Sequence, residues 1–158
     1  MPLSQLYDVA SSYTGLRELP GKLHNPTILG WLKKHALNIG RWGKSRDETA
    51  WCAVFVSHVL EACGYEATND ARAVSYKTYG VAANPKRGAI IVIRQRKRSE
   101  KNPTGSNRGG YHVLFLDKIT KHHYWGVGGN QKNRVSRAAF NKRGWELVAV
   151  RQPHIGVV

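Results

Sequence analysis

One cysteine in this sequence stands where a thiol would be reactive. Cys52 lies within the peptide Trp-Cys-Ala-Val-Phe-Val, which we expect to open a central apolar helix over residues 50–63. The first turn of a helix has unpaired backbone N–H groups and a positive dipole end, and both favour a thiolate. The alternative is an inert core thiol, the usual state of a cysteine in an apolar helix. We keep that alternative for Cys63, about 16 Å further along the helix and too far away for a disulfide.

A thiol nucleophile needs a base, and the base needs a group that orients it. His112 follows a Gly-Gly pair and begins a predicted strand, a position beside a loop where functional groups often occur. Asn130 follows it by eighteen residues, and its amide can accept the ring N–H and fix the tautomer. Gln131 is adjacent to Asn130 and also has an amide, so the sequence does not decide which of the two orients His112. The alternatives are a packed histidine and a turn asparagine.

The spacing of apolar residues changes along the chain from a helical pattern to a strand pattern, and these predicted elements must position the candidate residues. Helices are predicted first: residues 3–14, a helix capped by Asn25 that ends before Gly40, residues 50–63 capped by Thr49, and residues 69–79. Strands follow at residues 89–93, 111–116, 124–127 and 147–150. Helices followed by an antiparallel meander predict an α+β fold, with residues 1–158 forming a single domain.

The composition indicates an anionic partner. Lys and Arg total 25 and Asp and Glu total 10, so the formal net charge is +15. Such a field favours nucleic acid, anionic membranes or anionic wall polymers without distinguishing among them. No apolar stretch approaches the roughly 18–20 residues of a membrane span, and the first residues lack a Sec signal pattern. We therefore expect synthesis and initial retention in the cytoplasm, where two free thiols are stable.

Several short motifs occur in a characteristic order along nearly the whole chain. They are Glu18-Leu-Pro-Gly21 with Asn25-Pro26, residues 47–56 around Trp-Cys-Ala, Ala71-Arg72 before Tyr79-Gly80, Pro85-x-x-Gly88 before Ile90, His112-Val113, and Gly128-Gly-Asn-Gln131. This order resembles the phage- and prophage-encoded branch of the NlpC/CHAP superfamily of papain-like cell-wall hydrolases. The chain departs from that pattern at Ala50, Ala89 and Leu114, where Pro, an acidic residue and Gly are more usual. None of these departures removes a catalytic atom.

The resemblance implies a papain-like α+β domain, N-terminal helices on an antiparallel sheet, that acts as an endolysin-like peptidoglycan hydrolase. Such a cysteine peptidase or amidase would cleave an amide bond in the peptide stem or cross-link. It makes Cys52 the nucleophile, His112 the base and Asn130 the orienting residue, without cofactor or metal. We expect four further residues to line the substrate groove: Trp42, Trp51, Tyr111 and Gln131.

The same resemblance suggests where the protein acts and what it binds. The expected partner of this monomer is bacterial peptidoglycan, reached from the host cytoplasm through a holin-type pore. The basic run Arg94–Arg98 would contact the anionic wall or outer-membrane lipid, or is simply a solvated loop. No dedicated nucleic-acid partner is expected.

Other functions remain open from the sequence. The charge and five Trp suggest a nucleic-acid-binding protein, whose affinity would fall steeply with salt. A zinc amidase would use histidines, but His-Glu-x-x-His is absent, and the adjacent His122 and His123 would point to opposite faces of a strand. A bacterial toxin or effector could use the same thiol chemistry. The sequence does not specify the bond that is cut.

Overall fold

The computed structural model describes residues 2–17, 25–35, 51–96 and 110–154. Within these ranges the chain forms helices and one antiparallel sheet, which confirms the predicted α+β class. The helices are α1 (Leu3–Ser12), α2 (Pro26–His35), α3 (Cys52–Ala62) and a 3-10 helix (Ala73–Thr78). The strands are β1 (Val81–Ala82), β2 (Ile90–Gln95), β3 (Tyr111–Ile119), β4 (His123–Gly128), β5 (Ser136–Asn141) and β6 (Trp145–Gln152).

The six strands are ordered β1-β6-β2-β3-β4-β5, so β2 and β3 lie at the centre of the sheet. This position explains why Ile90–Ile93 is an unbroken apolar run, since a central strand is covered on both faces. Ile90 and Val92 join the core beneath the helices, whereas Ile91 and Ile93 join a second cluster on the opposite face. The sheet therefore has one face covered by helices and one covered mainly by its own side chains.

Helix α3 is the central helix of the larger core and packs on β3. Its residues from Cys52 to Ser57 are all buried, as the apolar sequence predicted. The one polar side chain in this run, Ser57, hydrogen-bonds the hydroxyl of Tyr76 at 2.5 Å. This burial fixes the helix and therefore the position of its first residue, Cys52.

The structure corrects several predicted element boundaries. Helix α3 begins at Cys52 rather than at residue 50, because Trp51 has the non-helical φ of −126° of an N-cap residue. The helix predicted over residues 69–79 is a 3-10 helix limited to Ala73–Thr78. Strands β1 and β5 were not predicted; β5 has no Val or Ile, and its residues are at most half-buried. The end of the second predicted helix, beyond His35, lies outside the described residues, as does Thr49.

None of the described helices combines the length and the apolar character that a membrane span requires.

Candidate active site

The first turn of α3 lies where strands β3 and β4 separate. The pairing of β3 with β4 starts at Phe115 and Val127, so none of the described strands pairs with the beginning of β3 on that side. The chain leaving β4 passes the helix at Gly129, where a Cβ atom would lie 2.6 Å from Phe55 Cβ and 2.7 Å from Trp51 Cζ3. A glycine at this point lets the backbone approach the helix closely, so the α3 N-terminus reaches the open edge of β3.

The Cys52 sulfur is held at this open edge by backbone donors. The N–H groups of Ala53 and Val113 hydrogen-bond the thiol sulfur. Leu116 donates its N–H to Ala89 beside β2, so alternation along β3 directs the Val113 N–H to the opposite side. There β4 has already turned away, and the sulfur of Cys52 takes the place of a carbonyl acceptor. The thiol itself is buried, with 7% exposure.

The imidazole of His112 connects the sulfur to an amide. It hydrogen-bonds Cys52 on one side, and its Nε2 lies 3.0 Å from Gln131 Oε1 on the other. Since Gln131 occupies Nε2, the nitrogen available to the sulfur is Nδ1. The ring centroids of Phe140 and Trp145 lie 5.1 Å and 6.3 Å from that of His112. These apolar rings keep the imidazole largely out of water.

The pKa values of the two reactive groups move toward each other. Burial alone would raise the pKa of the Cys52 thiol, but the positive charge of His112 and the hydrogen bonds to the sulfur lower it below its ordinary value. Burial alone would lower the pKa of His112, but the Cys52 thiolate and the Gln131 hydrogen bond raise it. Each charged form stabilises the other, so the geometry favours a thiolate–imidazolium pair.

The amide that contacts His112 belongs to Gln131, whereas the sequence favoured Asn130. Gln131 is 5% exposed, and its Nε2 donates to the Ser136 carbonyl at 2.7 Å, which directs Oε1 toward the imidazole. Asn130 has a φ of 58°, the left-handed conformation common for asparagine in turns. A small change in turn geometry decides which of two adjacent amides faces the imidazole. The sequence alone therefore does not show whether Asn130 or Gln131 contacts His112.

No protein-family model, curated protein or solved structure matches this chain.

The other residues predicted for the groove differ in accessibility. Trp51 is fully buried, with its ring centroid 6.4 Å from that of Trp31, so its indole packs the core rather than lining an open groove. Tyr111 is half-buried, and the Arg94 guanidinium lies 5.4 Å from its ring centroid. Trp42 lies outside the described residues, as do the last two residues of the basic run; residues 94–96 of that run are described.

Sequence reasoning missed three features of the site. The Val113 N–H could have been suspected only from strand register, which requires knowing where β4 diverges. Phe140 and Trp145, which cover His112, lie on β5 and β6. Because β5 was not predicted, nothing in the sequence connected its aromatic residue with the histidine.

Among the described residues, no group of three or more His, Cys, Asp or Glu side chains is arranged to hold a metal ion. The Cys52–His112 pair has an amide as its third member.

Proposed function

We propose that this protein is a papain-like cysteine hydrolase that cleaves an amide bond in the peptide stem or cross-link of bacterial peptidoglycan. The observation that carries the proposal is the hydrogen-bonded chain from Cys52 through His112 to Gln131. A nucleophile, a base and an orienting group in contact are the constellation that acyl transfer requires. The buried first turn of α3 supports a thiolate at Cys52.

The mechanism follows from the positions of the proton and the charge. The Cys52 thiolate attacks the amide carbonyl, and the N–H groups at the start of α3 stabilise the oxyanion as charge leaves the sulfur. The His112 imidazolium then gives its proton to the leaving amine, and a thioester remains. His112 next takes a proton from water, which hydrolyses the thioester. Gln131 holds the ring with Nδ1 toward the sulfur throughout.

Peptidoglycan is proposed as the substrate on two grounds. The ordered motifs from Glu18 to Gln131 resemble the phage branch of the NlpC/CHAP superfamily. The net charge of +15 favours association with anionic polymers of the wall or with outer-membrane lipid. An endolysin of this kind would act after release through a holin-type pore.

The test is digestion of purified Gram-negative peptidoglycan followed by mass spectrometry of the products. The wild type, Cys52→Ala and the matched control Cys63→Ala are compared. We expect the wild type and Cys63→Ala to release stem peptides or split cross-links, which identifies the bond, and Cys52→Ala to release nothing above background. Equal cleavage by Cys52→Ala would contradict the thiol mechanism. Absence of cleavage by all three proteins would favour the nucleic-acid alternative, which salt-dependent binding then tests.

A further inference from the structure

Two arginines from distant segments of the chain share one carboxylate at the protein surface. Arg87, in the turn that leads into β2, has its Nε 3.2 Å from Asp117 Oδ1. Arg137, on β5, donates from Nε and Nη2 to Asp117 Oδ2 at 3.0 Å and 2.7 Å. Because both oxygens belong to a single carboxylate, the two guanidiniums lie side by side. We call Arg87, Asp117 and Arg137 the arginine cluster.

Aromatic rings hold both guanidiniums of the cluster in place. The Arg87 guanidinium lies 4.4 Å from the ring centroid of Tyr7 on α1, and that of Arg137 lies 4.7 Å from the ring centroid of Trp125 on β4. Lys118 Nζ lies 5.9 Å from the same Trp125 centroid and brings a third cation to this place. A guanidinium that is already fixed by a ring and a carboxylate loses little conformational freedom when it binds a ligand.

The two guanidiniums remain accessible to solvent, although the carboxylate between them is mostly buried. The side chains of Arg87 and Arg137 are 55% and 43% exposed, and that of Asp117 is 13% exposed. A guanidinium has more N–H donors than one carboxylate oxygen engages, so each arginine can donate to a further acceptor. Ion pairs of exposed arginines add little to stability. Stability is therefore a weak reason for concentrating two arginines on one carboxylate.

The part of the sheet that carries Asp117 and Arg137 is strongly basic. Residues 117–143, which form the end of β3, all of β4 and β5 and their connections, contain seven Lys and Arg residues, and Asp117 is their one acidic residue. The structure describes every residue of this segment. Four acidic residues lie outside the described ranges, and they are too few to neutralise this excess. The cluster therefore lies in a positive field that favours an anion.

We propose that the arginine cluster binds a phosphate group of a phosphorylated glycan in the bacterial envelope and so holds the protein on its substrate. The envelope as the source of the phosphate rests on the proposed function, whereas recognition of phosphate rests on the cluster itself. A phosphate monoester has a charge of about −1.5 to −2 near neutral pH and three acceptor oxygens, so two adjacent guanidiniums can donate to it together. Nucleic acid instead spreads its charges along a backbone, which a track of cations fits better than one compact pair.

The first experiment compares binding to lipopolysaccharide before and after chemical removal of its phosphate groups. Affinities are measured for the wild type, Arg87→Gln, Arg137→Gln, Arg137→Lys and Arg72→Gln, each checked for an unchanged thermal midpoint. Arg72 is the matched control, because it is exposed and pairs with Asp70 at 2.7 Å without a second guanidinium among the described residues. Removing one arginine of the cluster leaves the other to pair with Asp117, so the variants should fold.

We expect the wild type to bind intact lipopolysaccharide about tenfold more tightly than the dephosphorylated form. Arg87→Gln and Arg137→Gln should each lose about tenfold in affinity for the intact form. Arg137→Lys should lose less, because it keeps the charge but not the planar fork of donors, and Arg72→Gln should match the wild type. Equal affinity of the wild type for both forms, or an equal loss in Arg72→Gln, would overturn the phosphate site. Tighter binding of single-stranded DNA through the same two arginines would also overturn it.

Hydrolysis of short soluble stem peptides separates this site from the candidate active site. The variants of Arg87 and Arg137 should cleave these peptides at the wild-type rate, since neither arginine belongs to the hydrogen-bonded chain of Cys52, His112 and Gln131. Loss of phosphate discrimination with intact peptide cleavage would overturn the phosphate site and leave the hydrolase. Absence of peptide cleavage in the wild type would count against the hydrolase, whereas the phosphate comparison is read from binding alone.

A second measurement identifies the side chains that contact the anion. Inorganic phosphate is titrated into isotope-labelled protein, and the Nε–H resonances of the arginines are followed by NMR. The resonances of Arg87 and Arg137 should move together with a single Kd, whereas that of Arg72 should stay in place. Equal movement of the Arg72 resonance would show that phosphate accumulates around any exposed arginine, and it would overturn the assignment of the cluster as a phosphate site.

Discussion

The two ends of helix α3 carry the two described cysteines, and their chemistry is opposite. Cys52, the first residue of the helix, is buried, yet its pKa is lowered. Cys63, just past the last turn, is more exposed, yet burial raises its pKa. Exposure alone would predict the reverse order of reactivity. A charged partner at one end of the helix therefore outweighs the burial that acts at both ends.

The same contrast holds for two histidines, His112 beside the start of α3 and His58 within its second half. The pKa of fully buried His112 is raised, because the Cys52 thiolate and the Gln131 amide outweigh its burial. The pKa of half-buried His58, in the second half of the helix, is lowered by burial and by the nearby His35 and Lys34. The pKa shifts at the N-terminal end of α3 thus favour a thiolate–imidazolium pair, whereas the lowered pKa of His58 favours a neutral imidazole in the C-terminal half.

The largest expected effect separates the two cysteines directly. Cys52→Ser replaces a thiolate by a hydroxyl that is not ionised near neutral pH, so wall hydrolysis should fall by about 10³-fold or more. Cys63→Ser should stay within about twofold of wild type, because no step uses that thiol. Release of soluble wall fragments over time measures both rates. A comparable loss in the two variants would remove the distinction between the two ends of α3.

Removing the imidazole should make the two thiols alike. His112→Ala leaves Cys52 buried without a cation, so its pKa should rise above the ordinary thiol value and hydrolysis should fall about 10²–10⁴-fold. In the wild type the ion pair is lost in acid when the thiolate is protonated and in base when the imidazolium loses its proton. The wild-type pH–rate profile should therefore be bell-shaped, and alkylation of Cys52 in His112→Ala should require alkaline pH. Unchanged alkylation near neutral pH would contradict this account.

The two adjacent amides offer a finer test of the N-terminal end. Gln131→Ala removes the Nε2 partner of His112 and should lower hydrolysis roughly tenfold to hundredfold, the equivalent of one charge-assisted hydrogen bond. The alkylation pH profile of Cys52 should shift with it, which a purely structural role would not cause. Asn130→Gly removes the other amide and tolerates its left-handed φ, so activity should stay within about threefold. The reverse ranking would assign the orienting role to Asn130.

An added methyl group should be tolerated less well beside the start of α3 than on the surface of α2. Gly129→Ala places a methyl group against Phe55 and Trp51 and should cost about 1–3 kcal/mol of unfolding free energy. It should also reduce hydrolysis, because the first turn of α3 must shift. Gly30→Ala lies within α2 with open space around it and should stabilise the protein by about 0.5–1 kcal/mol. Urea unfolding measures both, and a neutral Gly129→Ala would contradict the close approach.

The smallest expected effect concerns His58 and acid stability. Its pKa is lowered in the folded state, so the unfolded chain binds the proton more readily and stability is lost as the pH falls through the unfolded value of about 6.5. Facing groups are Tyr13, His35, Lys34 and Glu61. His58→Gln should reduce the drop in thermal midpoint between about pH 8 and about pH 5, whereas the exposed His122→Gln should not. Equal drops in all three proteins would contradict this role.

The sequence predicted the core of this arrangement because its signals are local. An apolar run after Trp51 indicates a buried helix, and the helix start alone marks Cys52 as a position for an anion. His112 was found by its place at a strand end, which is also local. The predicted start of α3 at residue 50 was two residues too early, because Trp51 is the N-cap and the helix begins at Cys52.

The rest of the site depends on contacts between distant segments. The Val113 N–H faces the sulfur only because the pairing between β3 and β4 stops at Val127. No residue type in either strand indicates from the sequence where that pairing stops. Gln131 rather than Asn130 contacts His112 because the Ser136 carbonyl anchors its amide. Trp51 was assigned to a groove, yet packing against Gly129 buries it completely.

The most direct test is a competition between Cys52 and Cys63 in one wild-type sample. The protein is treated with limiting iodoacetamide near pH 6, and the two labelled peptides are quantified by mass spectrometry over time. Since only the thiolate reacts, the more buried Cys52 should be labelled well before the more exposed Cys63. Faster or equal labelling of Cys63 would show that His112 does not activate Cys52, and would contradict the proposed cysteine hydrolase.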